Sequence, residues 1–420
     1  MARAMTRTAL VFDDDDAQGE HACRLLRDGS SGVADLVIQR VSADEFQRAI
    51  ATLTSRRARA RGLARVAANS ACVFDSADYL FLDFDLLKLP RDLTGGEVAY
   101  LARCYSSCGL IVIWNQVRQR HFDLTLRDHL DSFADVNLHM RDLGNIGLWQ
   151  PEFVGYRPWA WPVLPDALTR WEARVEALSA MDVDVVKVLD VLGLRDVEND
   201  LSRQTLAFVE GASGEKDPTI RQFVTDTGNG LSAKDVAADV LGVVRIAAAR
   251  LARWMDVLVG AGQDVVIDAA HLVGTYPGVL EPSPTVDAAN AVALRGAVTW
   301  SNQGAAELPP PDLDFWAARP GWVVRALPGG GEQGSKFNRR GQPSFDYVFC
   351  EDVSRFVPQE MARQFIADLP TPSAERFVLD PEQVAQNAEN VAPLLGLPSG
   401  DAVRRAFGDL IYSPLWRWSQ

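Results

Sequence analysis

Thr8-Ala9-Leu10-Val11-Phe12-Asp13-Asp14-Asp15-Asp16 and Asp78-Tyr79-Leu80-Phe81-Leu82-Asp83-Phe84-Asp85 decide the fold. Each is a short apolar run that stops abruptly on carboxylates. Apolar runs of this length, followed by longer helical patterns, read as buried strands of a parallel sheet. In an open α/β sheet the functional crevice lies at the carboxyl ends of the strands, so acids carried there by two strands can meet at one point. Adjacent aspartates repel one another unless a cation or backbone N–H groups offset the charge. Mg²⁺ takes hard oxygen ligands and is held by one or two carboxylates, with water and phosphate oxygens completing its shell. The two acidic strand ends therefore mark a candidate cation or phosphoryl site.

Working outward, short β-like runs alternate with helical stretches as far as Leu178. Strands are expected at Ala9–Phe12, Asp35–Gln39, Tyr79–Leu82, Leu110–Trp114 and Phe153–Tyr156, and helices at Glu20–Arg27, Ala43–Ala68, Gly96–Ser107 and Asp166–Leu178. The stretch from Asp123 to Trp149 fits no simple element and reads as an insertion ahead of the last strand. Five strands with alternating helices give a flavodoxin-like doubly wound α/β domain over residues 1–178.

Beyond it the expectation is a mainly helical domain at 179–307, then a mixed α+β region at 308–420 with a small β-hairpin element. Asp182 to Leu194 reads as helical. Ser232 and Asp235 resemble a capping box opening the clearest helix in the chain, with apolar residues at Val236, Val240, Val243, Val244, Leu251, Trp254, Met255 and Leu258 and stop signals at Gly260 and Gly262. Pro309-Pro310-Pro311 reads as a stiff connector. Trp322–Ala326 and Asp346–Cys350 read as strands flanking a glycine-rich loop, Gly329 to Gln342, whose Lys336 does not have Walker A spacing.

The hydrophobic content of 47% over 420 residues can bury a substantial core. A formal net charge of −14 repels nucleic acid and anionic membrane alike. The basic cluster Arg56, Arg57, Arg59, Arg61 and Arg65 has no interleaved aromatics and reads as a solvated helix face, with a docking surface for an acidic partner as the alternative. No apolar run approaches the length of a membrane span, and Met1-Ala2-Arg3-Ala4 leads into a strand, so a cytoplasmic protein is expected. The five cysteines, with Cys104 and Cys108 on one helix, suit packing rather than zinc. The histidines are scattered and read as structural or surface groups, and core packing is the default for the eleven tryptophans.

The ordered set of acids resembles the receiver domain of bacterial response regulators, over about the first 175 residues. Ala9 to Asp15 is similar to the family's first strand with its metal-binding acid pair, which maps to Asp13 and Asp14. Asp78 to Asp83 is similar to its third strand, which makes Asp83 the phosphoacceptor and a third ligand. Thr94-Gly95-Gly96-Glu97 is similar to the glycine turn before the next helix. Tyr156-Arg157-Pro158 stands where the family has a lysine and a proline, so Arg157 takes the phosphoryl-contacting role. The resemblance implies Mg²⁺, a kinase or other protein partner, and a signal-transduction role in which the module controls the remaining chain. The pattern departs in two places. Trp114-Asn115 replaces the strand ending in Thr or Ser, and arginine, a planar fork, is not equivalent to lysine.

Two other readings stand beside it. Leu80 to Asp85, followed by Ile111-Val112-Ile113-Trp114-Asn115, resembles a haloacid-dehalogenase-like phosphatase, with Asp83 as nucleophile and Asp85 as acid/base. A non-catalytic protein-binding scaffold is the third.

Overall fold

In the computed structural model, residues 6–62, 71–86, 88, 93–115, 133–152, 162–210, 216–226, 234–236, 239–275, 277, 285–295, 315–317, 319, 321–326, 345–351, 353–364, 376–394 and 397–407 are described. They group into two units. The first comprises residues 1–150, 162–191 and 206–253, and the second residues 151–161, 192–205 and 254–420.

The first unit is built on strands β1 (Arg7–Phe12), β2 (Leu36–Arg40), β3 (Tyr79–Asp83), β4 (Leu110–Asn115) and β5 (Val136–His139), in the spatial order β2-β1-β3-β4-β5. Every neighbouring pair is parallel. All residues of β3 and β4 are buried, as expected of strands covered on both faces. Phe12 stacks on Phe46 of helix α2 (Ala43–Ala60) on one face, while Tyr79 and Phe81 pack against Trp149 on the other. Helix α1 (Asp16–Gly29) follows β1, and α3 (Gly95–Tyr105) lies between β3 and β4. The α/β class and the five-stranded parallel sheet expected from sequence are present.

One strand is not where the alternation placed it. The fifth strand is Val136–His139, inside the stretch read as an insertion, and the expected Phe153–Tyr156 lies outside the described residues. Val-Asn-Leu-His is only four residues long, and its buried Asn137 and His139 break the kind of apolar run that marks the central strands. The second helix also ends at Ala60, where Gly62 takes a left-handed φ of 70°, rather than continuing to Ala68.

The helix expected to start at Ser232 starts at Val240 and runs to Trp254, then continues through a π-helical turn, Met255–Val259. Ser232 lies outside the described residues. Val243, Val244, Leu251, Trp254 and Met255 are buried as the spacing required, whereas Val240, in the first turn, is exposed. Between Asp182 and Leu194 only Val188–Val191 is α-helical.

The second unit contains more strand than its sequence advertises. Val266–Asp268 pairs antiparallel with Gly321–Val323. Tyr347–Cys350 pairs with Arg355–Pro358 in a hairpin and with Phe377–Leu379, which in turn pairs with Ala362–Gln364. The strands expected near Trp322 and Tyr347 thus exist but belong to different sheets. The glycine-rich loop and the proline run lie outside the described residues. No described helix is long and apolar enough to cross a membrane.

Candidate functional site

The register of the parallel sheet assembles the acids. Phe12 lies opposite Leu82, so the next residues, Asp13 and Asp83, extend from neighbouring strands at one level. Strand residues alternate between faces, which puts Asp13 and Asp83 on the face of Val11 and Phe81. Neighbouring strands are separated by only about 4.8 Å, so these two carboxylates meet. Asp14 joins them, and ligand oxygens of Asp13, Asp14 and Asp83 all lie within 4.8 Å of one another.

The four consecutive aspartates do not share one task. Asp13 is almost fully buried, and its Oδ1 accepts the Asp15 N–H at 2.8 Å. Asp15 caps α1, accepting the N–H groups of Ala17 and Gln18 at 2.9 and 3.2 Å. Asp16 sits in the first turn of that helix, where the dipole favours an anion, and pairs with Arg40. Asp13 and Asp14 are left for the crevice.

Asp83 is buried, and the Phe84 N–H is the backbone donor that partly offsets its charge. The same N–H donates to the Trp114 carbonyl at 2.8 Å. Burial, and then the charges of Asp13, Asp14 and Asp85, push the Asp83 carboxyl up to about 8. Burial likewise lifts Asp13 to about 6, with Asp14 and Asp15 adding to the rise against the lowering effect of the Asp15 N–H. A cluster that cannot ionise fully at neutral pH without a counter-ion is suited to binding one.

Lys88 supplies the positive charge at the mouth. Its ammonium bonds Asp15 and its backbone N–H bonds Asp14, which ties the loop after β3 to the turn after β1. The Asp15 contact raises the Lys88 pKa and lowers that of Asp15. Nothing in the sequence separated Lys88 from other surface lysines, because the contact forms only when the two loops meet.

Asp85 stands two residues beyond Asp83 on a short ladder, Asp85–Leu86 against Leu93–Thr94, that leads into α3. Gly95 opens that helix directly against Asp83: a Cβ there would lie 2.4 Å from the Asp83 carbonyl oxygen. Thr94 and Glu97 form a capping box around the same turn. At the ends of the next two strands, Asn115 and His139 face each other in register, and both are buried. His139 Nδ1 accepts the Arg141 N–H at 3.2 Å. From sequence alone His139 reads as a structural or surface group, and only the placement of β5 brings it to the same edge as the acids. Arg157 lies outside the described residues.

Comparison with protein-family models, curated proteins and solved structures found no match to this chain. No relative lends the site a function, and its chemistry has to follow from its geometry. That geometry offers three convergent oxygen ligands of the hard type that Mg²⁺ accepts, one of them a carboxyl raised to about 8 beside two further acids.

Proposed function

We propose that the first unit is a receiver-like or pseudo-receiver module of a signal-transduction regulator, in which Asp83 is the phosphoryl acceptor and Asp13, Asp14 and Asp83 hold Mg²⁺. The observation that carries this reading is the convergence of those three carboxylates within 4.8 Å at the C-terminal edge of a β2-β1-β3-β4-β5 parallel sheet. Bound there, the cation would offset the negative charge of a phosphoryl group. One Asp83 oxygen would attack phosphorus as the bond to the donor's leaving group breaks, leaving an acyl phosphate on Asp83. Lys88, whose ammonium pairs with Asp15 beside the ligand Asp14, would take the phosphoryl-contacting part that the sequence assigns to Arg157. The partner is a kinase or another phosphodonor protein, and the output is the remaining chain.

Asp85 favours a second reading of the same pocket. It lies two residues from Asp83 and its charge helps to raise the Asp83 pKa, a placement that suits an acid/base beside a nucleophile in a phosphatase. Two assays separate these readings. Tight binding of beryllofluoride with Mg²⁺, lost in Asp83→Asn and kept in Asp85→Asn, supports the receiver-like module. Turnover of a generic phosphomonoester, lost in both variants, supports the phosphatase. Neither response leaves a protein-binding scaffold.

A further inference from the structure

The second unit encloses five charged side chains that the acidic pocket does not involve. His271, in the first turn of the helix Ala269–Thr275, lies between two carboxylates. Its Nδ1 is hydrogen-bonded at 2.9 Å to both oxygens of Asp268, which ends the strand Val266–Asp268, while its Nε2 lies 2.9 Å from Oε1 of Glu351, just past Tyr347–Cys350, as a charge contact that is not aligned as a hydrogen bond. Arg319 reaches Asp268 at 3.4 Å and Glu351 at 3.0 Å, and Arg376 Nε donates to Glu351 at 2.8 Å. Asp268, His271, Glu351 and Arg376 are all buried, and the Phe349 ring packs edge-on to the imidazole. The cluster thus joins the two-stranded and four-stranded sheets of this unit.

We infer that Asp268, His271 and Glu351 form a proton-operated clasp that closes the two sheets of the second unit when the imidazole is charged and loosens them when it is neutral. A neutral imidazole carries one N–H and one lone pair. With the proton on Nδ1, the Nε2 lone pair faces Glu351. With the proton on Nε2, the Nδ1 lone pair faces both Asp268 oxygens. Only the imidazolium keeps its hydrogen bond to Asp268 and at the same time sets positive charge against Glu351.

The groups facing His271 set the direction of the switch. Among the described residues they are Asp268 from the strand before the helix, Glu351 and the Phe349 ring from the four-stranded sheet, and Arg319 and Arg376 bound to those carboxylates. Burial opposes the charge on His271, but Asp268 and Glu351 outweigh it and hold the pKa above the ordinary imidazole value of 6.5. The two arginines and His271 overcome burial in the opposite sense and keep Glu351 ionised. The closed state binds a proton that the open state gives up. Its advantage is therefore complete below the ordinary imidazole pKa and falls by up to about tenfold per pH unit until the raised pKa is passed. The device concerns a different unit from the acidic pocket and does not depend on the function proposed for it.

Hydrogen exchange of the full chain, corrected for the intrinsic rate, tests the clasp between about pH 6 and about pH 10. Peptides covering 266–275, 321–323 and 347–358 should lose protection together over that range and then level off. The same fall should appear in Asp83→Asn, so titration of Asp83 cannot be its source. In parallel, NMR of histidine-labelled protein should show one imidazole titrating above 6.5 over the same interval as the exchange change. Protection that stays constant across the range, or five histidines that all titrate at or below 6.5, would overturn the proposal.

Discussion

Asp13 and Asp83 end neighbouring parallel strands on one face of the sheet, with carboxylate oxygens within 4.8 Å, although no local sequence pattern connects them. The register Phe12 to Leu82 is what joins them. Both carboxyls are lifted by burial, Asp83 to about 8 and Asp13 to about 6, against an ordinary value of 3.8. The folded chain therefore keeps protons that the unfolded chain has lost, and this pair erodes stability as pH rises between those values.

Mg²⁺ should reverse that erosion. Metal binds the ionised carboxylates, so its stabilising effect grows with pH. At a hundredfold excess over Kd, binding adds about 2.7 kcal/mol, a shift of several degrees in a thermal melt. The shift at about pH 8 should exceed the shift at about pH 5, because Asp83 then ionises readily. Asp83→Asn should raise the metal-free melting temperature at about pH 8 and remove the Mg²⁺ response. A melt that ignores millimolar Mg²⁺ at both pH values would count against the metal site.

Gly95→Ala probes the wall of the pocket. The new Cβ would sit 2.4 Å from the Asp83 carbonyl and 3.0 Å from Phe84 Cα, both backbone atoms that cannot swing aside. The cost should be about 1–3 kcal/mol in urea unfolding, and Mg²⁺ affinity should fall because the end of β3 must move. Gly96→Ala, whose Cβ would find its nearest neighbour at 3.8 Å, serves as the control and should leave metal affinity unchanged.

Lys88→Ala separates the cation from the anion. Losing the ammonium removes a positive charge that competes for the acids at Asp14 and Asp15, so Mg²⁺ should bind more tightly, by less than about tenfold for so exposed a contact. Beryllofluoride binding should weaken, since the pocket loses a charge that would face the phosphoryl oxygens. Calorimetry that finds both ligands weakened would show that Lys88 only positions the loop.

How far the sequence disclosed this architecture depended on how each residue acts. The strands β1, β3 and β4 were legible because burial on both faces demands unbroken apolar runs, and Asp13 and Asp83 were legible because a carboxylate ending such a run is conspicuous. Strand β5 was not, since Asn137 and His139 interrupt its four residues and its pairing with β4 is non-local. Lys88 and His139 remained hidden for the same reason. The division of Asp13 to Asp16 into ligands, cap and ion-pair partner could be seen only once α1 had a defined first turn. The Asp268, His271 and Glu351 cluster left no sequence signal, because Glu351 reaches His271 through tertiary packing alone.

The placement of β5, and so of His139, rests on a buried ion pair that can be tested directly. Arg103, 1% exposed in the last turn of α3, pairs with Asp135 and donates to the Gly109 carbonyl at 3.0 Å, while its guanidinium lies 5.3 Å from the Trp171 ring. Asp135 Oδ2 accepts the Ile111 N–H at 2.7 Å, and the Asp135 N–H donates to the Ile111 carbonyl at 2.8 Å, so this one residue sets the register between β4 and β5. Arg103→Met keeps the apolar stem but leaves the Asp135 carboxylate without its closest cation. Removing one partner of a buried pair costs about 3–5 kcal/mol. Arg253, which donates to the Ala134 carbonyl at 3.1 Å and lowers the Asp135 pKa, keeps the loss towards the lower figure. Burial already raises that pKa, so the variant should be hurt more at about pH 7 than at about pH 5, where Asp135 can take up a proton. Adding Asp135→Asn should recover most of the loss. Urea unfolding of the single and double variants at both pH values measures each of these differences, and a single variant that unfolds like the parent chain would remove the ion pair from any role in fixing β5.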